Sequence, residues 1–449
     1  MDVLKWIDDI VWGPPMLVLL VGTGIFLTFR LGFLQVIRLP LAFKLIFKAP
    51  NKGEGEITSF AALCTALAAT IGTGNIVGVA TAVKTGGPGA IFWLLVAAFF
   101  GMATKYAEGV LAIKYREIDE NGVVSGGPMY YITRGLGNKF KPLAIFFAIS
   151  AIGAALLGIG TMTQVHSIAN SVYTVTNIPN WITALVVAIL VTLVVIGGLR
   201  SIARVTSKIV PFMAILYVVV CLWILIANYQ MIPETIALII NSAFNPVAAT
   251  GGFLGATVAM AIQYGFARGV FSNEAGLGSA PIASAAAKTN SPGEQGLVSM
   301  TGTFIDSIII CTLTGLTLVI TGVWSGDLEG AAMIQSAFKM VMPTVGPTLL
   351  MICLALFAFT TILGWNYYGE RCTVFLFGNK GVVPYRILFI VSVFLGGGFL
   401  ALDVVWLIAD IFNGLMAIPN LIALLLLSGV IAKETRKYLD ERKKLNPLQ

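Results

Sequence analysis

The residues able to do chemistry in this 449-residue chain lie in two stretches of small and polar residues set in apolar surroundings. The first is Ala68-Ala69-Thr70-Ile71-Gly72-Thr73-Gly74-Asn75-Ile76-Val77-Gly78, midway along an apolar run over 57–84. The second is Gly265-Phe266-Ala267-Arg268-Gly269-Val270-Phe271-Ser272-Asn273-Glu274-Ala275-Gly276. Backbone groups at membrane depth cannot stay unpaired against lipid, so an interruption there must line a cavity. The chemistry such a break offers is recognition. A helix restarting at Thr73, Gly74 and Asn75 aims free amides and the positive end of its dipole at the cavity, which suits a carboxylate. Carbonyls released before each break suit an ammonium group or Na⁺. Phe357, Thr360, Thr361 and Trp365 fall at i, i+3, i+4 and i+8, on one helix face. Hydroxyl and carbonyl oxygens there suit a hard cation stripped of water. Gln164 is polar within an apolar span and a candidate to face the first break.

Two plainer readings stay open. Gly74-xxx-Gly78 and Gly265-xxx-Gly269 fit close helix packing, and threonines can bond back to their own helix. Packing alone does not account for Asn75, or for Arg268 and Glu274 bracketing the second glycine cluster. Charged groups at depth are costly unless paired or lining a cavity. Lys105 and Glu108, three residues apart, are expected to pair. Asp306 and Asp410 are candidates for proton or gating groups as well as for partnered structural acids. His166, the only histidine, is read as structural.

Other chemistries find no footing. Gly72-Thr73-Gly74 opens like a dinucleotide fingerprint, but Val77 stands where the third glycine is needed and no strand precedes it. No GxxxxGK[ST] occurs, so no nucleotide partner is expected. Five single cysteines (Cys64, Cys221, Cys311, Cys353, Cys372) form neither CxxC nor Cys/His pairs, which leaves zinc and a disulfide framework unsupported. No serine or cysteine has a recognisable base, so no catalytic residue is assigned and an enzyme is not expected.

The elements that position these residues follow from composition. The chain is 57 % hydrophobic and 11 % charged, far from the ~25 % charged of soluble domains. It reads as an all-α integral membrane protein partnered by the lipid bilayer. Expected spans are 15–33, the broken helix 57–84, 89–114, 142–167, 181–197, 207–229, the second broken helix 250–287, 297–323, 345–375, 383–400 and 404–431. Residues 1–12 read as an interfacial amphipathic segment, with no basic n-region or cleavage site of a signal peptide. Of 28 lysines and arginines, 23 fall in alternate loops and the tail, six of them between Lys433 and Lys444. That bias sets the amino terminus outside and the carboxyl terminus in the cytoplasm. It accounts for the net charge of +7 as topology, so no nucleic-acid partner is expected.

Setting aside the leading span, ten helices divide five plus five with opposite topology. This makes eleven transmembrane helices, an inverted repeat whose first and sixth core helices are discontinuous. The domains expected are an N-terminal segment with the extra helix and linker (1–50), a core (51–431, repeats about 57–229 and 250–431) and a basic tail (432–449). Paired broken helices of this kind mark secondary transporters.

At these residues the chain resembles the alanine/glycine:cation symporters, also called sodium:alanine symporters. The likeness rests on Pro88-Gly89-Ala90-Ile91-Phe92-Trp93 with Gly101-Met102-Ala103-Thr104-Lys105-Tyr106. Gly126-Gly127-Pro128-Met129-Tyr130-Tyr131, Phe271-Ser272-Asn273-Glu274-Ala275-Gly276 and Gly364-Trp365-Asn366-Tyr367-Tyr368-Gly369-Glu370 extend it over most of the chain. Leu94-Leu95 departs from the family, where Met or Thr and then Trp are common. The resemblance implies a leucine-transporter-like fold, with substrate carboxylate at Thr73, Gly74 and Asn75 and its amine near the carbonyls of Gly269 to Phe271. It implies that Gln164, Asn273, Thr361 and Trp365 complete the pocket. It further implies a Na⁺ site from the carbonyls of Ala68, Ile71 and Phe357 and the hydroxyls of Thr360 and Thr361. A second ion site would involve Thr70 and Asn75. The expected function is sodium-coupled uptake of small neutral amino acids, alanine and glycine, across the cell membrane by alternating access. The rivals are proton-coupled symport through Asp306 or Glu274 and, in other classes, a passive channel or an intramembrane enzyme.

Overall fold

Apolar runs long enough to cross a bilayer, punctuated by glycine and proline, dictate a helical chain, and helices are what form. The structure, a computed structural model, describes residues 2–48, 53–120, 122–248, 253–398 and 402–445. In chain order the helices are α1 (Asp2–Val11), α2 (Pro14–Arg30), α3 (Leu34–Ile37), α4 (Leu39–Lys48), α5 (Ser59–Thr70), α6 (Val79–Gly86) and α7 (Gly89–Lys114). A two-stranded hairpin, β1 (Glu117–Ile118) with β2 (Val124–Ser125), precedes α8 (Pro128–Tyr131). Then come α9 (Lys141–Leu157), α10 (Met162–Thr176), α11 (Asn180–Val195), α12 (Gly198–Ala227), α13 (Ile232–Phe244), α14 (Val258–Asn273) and α15 (Ala280–Ser284). The chain closes with α16 (Pro292–Thr303), α17 (Thr312–Ile320), α18 (Gly330–Val341), α19 (Gly346–Phe377), α20 (Val382–Leu395), α21 (Leu402–Leu426) and α22 (Ser428–Leu445).

Among the described residues, seven helical runs are long and apolar enough to cross a membrane, three of them (3–30, 138–176 and 292–320) built from more than one of these helices, and the bent pair α5/α6 makes an eighth. Helices such as α11 and α20 are apolar but shorter than that standard, which is why the sequence counts more spans. The helix over Gly89–Lys114 has the limits expected, because Gly87 at φ 72° and Pro88 end one helix and start the next. The expected spans at 250 and 400 begin and end on residues outside those described.

Three expectations are corrected. The run 142–167 is two helices, α9 and α10, parted at Gly158–Thr161 by backbone far from helical (Gly158 φ −127°, ψ −128°; Thr161 φ −140°, ψ −74°). The run 404–431 ends its first helix at Leu426 and continues as α22. Two helices, α13 and α18, occupy segments expected to be loops.

Helix α7 is the spine. It packs most closely on α14 and α16. Small residues make this approach feasible: a Cβ on Gly265 would stand 2.5 Å from the Ala90 carbonyl oxygen, and one on Gly109 2.7 Å from Ser299 Oγ. Helix α19 lies against α5, α9, α10 and α12, and α21 against α9. Helix α7 thereby lies against the second broken segment, α14 and α15, and α19 lies against α5 of the first.

Candidate functional site

The first break forms where expected. Helix α5 starts at a cap, with Thr58 Oγ1 accepting from Ala61 N at 3.1 Å. It stops at Ile71, whose ψ of 92° takes the chain out of the helix. The segment beyond, Gly74–Gly86, begins with a π-helical turn over Gly74–Gly78 and is bent 53° from α5. In an unbroken helix the amides of Gly72 and Thr73 would serve the carbonyls of Ala68 and Ala69. Here they donate instead to Asn75 Oδ1 (2.8 Å) and Gln164 Oε1 (3.4 Å). Gln164 Nε2 in turn donates to Thr73 Oγ1 at 3.1 Å. The polar residue noticed in the apolar α10 is therefore aimed at this break, placed there by the interruption at Gly158–Thr161.

Helix α19 closes the other side. Thr361 Oγ1 lies 3.4 Å from the Ile71 carbonyl oxygen and 3.0 Å from that of Phe357. Its single proton serves one of these at a time. Thr360 Oγ1 is 3.0 Å from the Phe357 carbonyl, 3.1 Å from that of Leu356 and 3.4 Å from Met213 Sδ. The structure thus joins Ile71, Phe357 and Thr361 directly, with Thr360 beside them and turned towards α12. Both hydroxyls also bond back to their own helix, so the sequence's plainer reading of them and the ion-site reading describe the same atoms. A Cβ on Gly72 would stand 2.5 Å from Thr361 Oγ1, so glycine is what lets the break touch α19.

Asn75 reaches the next helix. Its Nδ2 lies 2.7 Å from Asp306 Oδ1 and 3.3 Å from Cys311 Sγ. Asp306 sits in a π-helical stretch, Phe304–Cys311, between α16 and α17, and π-bulges of this kind recur at functional sites. Its Oδ2 accepts from Ser272 Oγ (3.0 Å) and Ser307 Oγ (2.8 Å), and Asn273 Nδ2 donates to Ser307 Oγ at 3.0 Å. Thr70 is placed elsewhere: its hydroxyl is 3.4 Å from the Leu67 carbonyl, and it lines a small cavity with Lys105 and Asn273. Thr70 and Asn75 therefore point to different partners.

The second break falls at the far end of its expected stretch, beyond the glycines. Helix α14 runs unbroken from Val258 through Gly265 and Gly269 to Asn273. The chain leaves it at Glu274, which adopts the left-handed conformation (φ 55°). Gly269 is a packing residue: a Cβ there would lie 3.2 Å from Leu94 Cγ and 3.4 Å from Ala97 Cβ of α7. Its carbonyl lies inside a continuous helix and is not released by a break. The terminal turn, with Phe271, Ser272 and Asn273, does face the first break, since a Cβ on Gly74 would stand 3.3 Å from both Phe271 Cδ1 and Ser272 Cα. Phe271 is also covered by the guanidinium of Arg268 at 5.5 Å, and Arg268 pairs with Asp410 through two contacts of 3.3 Å.

Glu274 and its neighbours form a cluster that local spacing does not reveal. Trp365 Nε1 donates to Glu274 Oε1 at 3.0 Å, Ser279 Oγ donates to Oε2, and Lys105 Nζ lies 3.2 Å from the Glu274 carbonyl. Trp365 is therefore tied to the second break from α19. Lys105 and Glu108 do not pair with each other as expected. Glu108 accepts from the amides of Gly276 (3.1 Å) and Gly278 (3.2 Å). Tertiary acceptors and donors outcompete the i,i+3 partner. The only sequence signal for Glu108 was a charge at membrane depth. Among the described residues, His166 makes no hydrogen bond to either break.

Two broken helical segments, both met by α19 and facing each other where Gly74 approaches Phe271 and Ser272, make a fold of the leucine-transporter type. The likeness extends to a solved structure of MhsT in complex with L-phenylalanine, at TM-score 0.59 and 13 % identity, covering 85 % of this chain and 93 % of that one. The chain belongs to the sodium:alanine symporter family, whose sequence model matches residues 1–448. It is 52 % identical over 449 residues to the sodium/alanine symporter AgcS of Methanococcus maripaludis, covering 98 % of each chain. It is 56 % identical to an uncharacterized transporter of Haemophilus influenzae, over 99 % of this chain and 97 % of the relative.

Proposed function

We propose that this protein couples sodium entry to uptake of alanine and glycine across the cell membrane by alternating access. The observation that carries the reading is the junction at the first break. There Gln164 and Asn75 take the freed amides of Thr73 and Gly72, while Thr361 touches the Ile71 carbonyl. One short segment thus carries two amides outside helical bonding, which a substrate carboxylate takes over from the side-chain oxygens of Gln164 and Asn75, and an oxygen-rich face towards α19. The substrate carboxylate binds at Thr73, Gly74 and Asn75 with Gln164 alongside. Its ammonium meets the free carbonyls ending α14, near Phe271 and Asn273. Phe271 and Trp365 restrict the side chain to methyl size or less. Na⁺ takes oxygens from Ala68, Ile71, Phe357, Thr360 and Thr361. Because substrate and ion share the break, each favours the arrangement that binds the other.

Eleven spans with an inverted five-plus-five core over 51–431, amino terminus outside, complete the reading; the charge bias and the paired breaks support it. The test is uptake of labelled alanine and glycine into proteoliposomes under an inward Na⁺ gradient against an equal K⁺ gradient. Accumulation with Na⁺ is expected, and Thr361→Ala should weaken the sodium dependence. A second reading, proton coupling, is favoured by one observation: the buried Asp306 carboxylate is met by the neutral donors Asn75, Ser272 and Ser307. Uptake driven by a pH gradient in sodium-free buffer would select it.

A further inference from the structure

The second break is short of helical bonds of its own and is held from outside. Glu108 of α7 is 1 % exposed, and its Oε1 accepts three hydrogen bonds: from Gly276 N (3.1 Å), Gly278 N (3.2 Å) and Asn420 Nδ2 (2.7 Å). The second proton of that Asn420 amide serves the Gly276 carbonyl at 2.9 Å, and Asn420 Oδ1 accepts from the Tyr131 hydroxyl. Gly276 and Gly278 have φ of 91° and 83°, a conformation L side chains rarely adopt. A Cβ on Gly278 would stand 2.6 Å from Pro128 and 2.9 Å from Asn420. Three elements, α7, α8 and α21, therefore converge on two residues of irregular backbone. One carboxyl oxygen thus ties two amides of irregular backbone to α7, and the Asn420 amide ties the same oxygen to the Gly276 carbonyl.

We propose that Glu108 and Asn420 are positioning residues for transport, fixing the second break so that the end of α14 presents its carbonyls to substrate. The inference rests on the alanine/sodium reading above. The residues assigned to sodium (Ala68, Ile71, Phe357, Thr360 and Thr361) make no hydrogen bond to Glu108 or Asn420 among the described residues. Disturbing the anchor therefore falls on substrate binding and spares the ion.

The test uses full-length protein in proteoliposomes, with thermal stability in detergent as a folding control. Glu108→Ala and Asn420→Ala should each raise the KM for alanine about tenfold, while the Na⁺ concentration for half-maximal ²²Na⁺ binding without substrate shifts less than threefold. Glu108→Gln keeps an acceptor oxygen and should fall between wild type and Glu108→Ala. The double variant should be no worse than about twofold beyond the weaker single, because both side chains act through the same atoms. Unchanged KM in Glu108→Ala would overturn the proposal. So would substrate and sodium affinities falling together in the well-folded Glu108→Gln, or single effects that multiply. Absence of alanine uptake by wild-type protein would instead defeat the functional reading beneath it.

Discussion

Gly72 offers the sharpest test of where the ion site lies. Its φ is outside the left-handed region, so Gly72→Ala meets no backbone objection and its effect is steric. The added Cβ would stand 2.5 Å from Thr361 Oγ1, with Gln164 Oε1 and Thr361 Cβ both at the comfortable distance of 3.5 Å. One hydroxyl must move by about 1 Å to reach ordinary contact, away from the Ile71 carbonyl it now touches. Overpacking a well-filled site costs about 1–3 kcal/mol. Charged to ion binding, that is a rise of roughly 5- to 150-fold in the Na⁺ concentration that half-activates alanine uptake. The assay is a sodium-activation curve on wild type, Gly72→Ala, Thr361→Ala and the double variant. Removing Oγ1 removes the clash, so adding Gly72→Ala to Thr361→Ala should cost little further. Unchanged activation in Gly72→Ala, or single effects that multiply in the double variant, would refute the placement of Thr361 at the ion.

Two other perturbations probe different parts of the structure. Gln164→Ala removes both bonds that hold Thr73 in place, at its amide and at its hydroxyl, so the first break loses its set geometry and the alanine KM should rise about 2- to 10-fold, the ~0.5–1.5 kcal/mol of a neutral hydrogen bond. Sodium binding without substrate should change little, as ²²Na⁺ titration would show. Arg116 donates to the carbonyls of Glu54, Ala285, Ala287 and Thr289, tying the segment before α5 to the one after α15, where Ile57 pairs with Ala287. Arg116→Ala should speed amide hydrogen exchange at Glu56, Ile57 and Lys288 several-fold while leaving the centre of α7 protected.

Much of the site was legible because its signals are local. Two glycines, two threonines and an asparagine inside an apolar run have few explanations, and Ile71 breaks the helix among them. Helical spacing puts Thr361 and Trp365 on one face, and that face meets the breaks, Thr361 at the Ile71 carbonyl and Trp365 at Glu274. What the sequence hid is non-local. Gly265 and Gly269 carry the same composition as a break but serve the packing of α7 on α14, and only the neighbouring helix tells the two uses apart. Glu274, at the left-handed turn, is secured by Lys105 of α7 and Trp365 of α19, two distant helices, besides Ser279 of its own break. Glu108 finds its partners at Gly276, Gly278 and Asn420, 168 to 312 residues away. The interruption at Gly158–Thr161 did carry a readable signal: Gly158, Gly160, Thr161 and Thr163 repeat the small-polar composition of the first break.

The central claim is that alanine and sodium meet at one broken segment and help each other bind. It is tested most directly by the equilibrium affinity of purified protein for alanine across Na⁺ concentrations, and for Na⁺ across alanine concentrations. Each ligand should strengthen the other by the same factor, about fivefold or more, and Thr361→Ala should diminish both effects alike. Alanine affinity that is the same in Na⁺ and in K⁺ would contradict it.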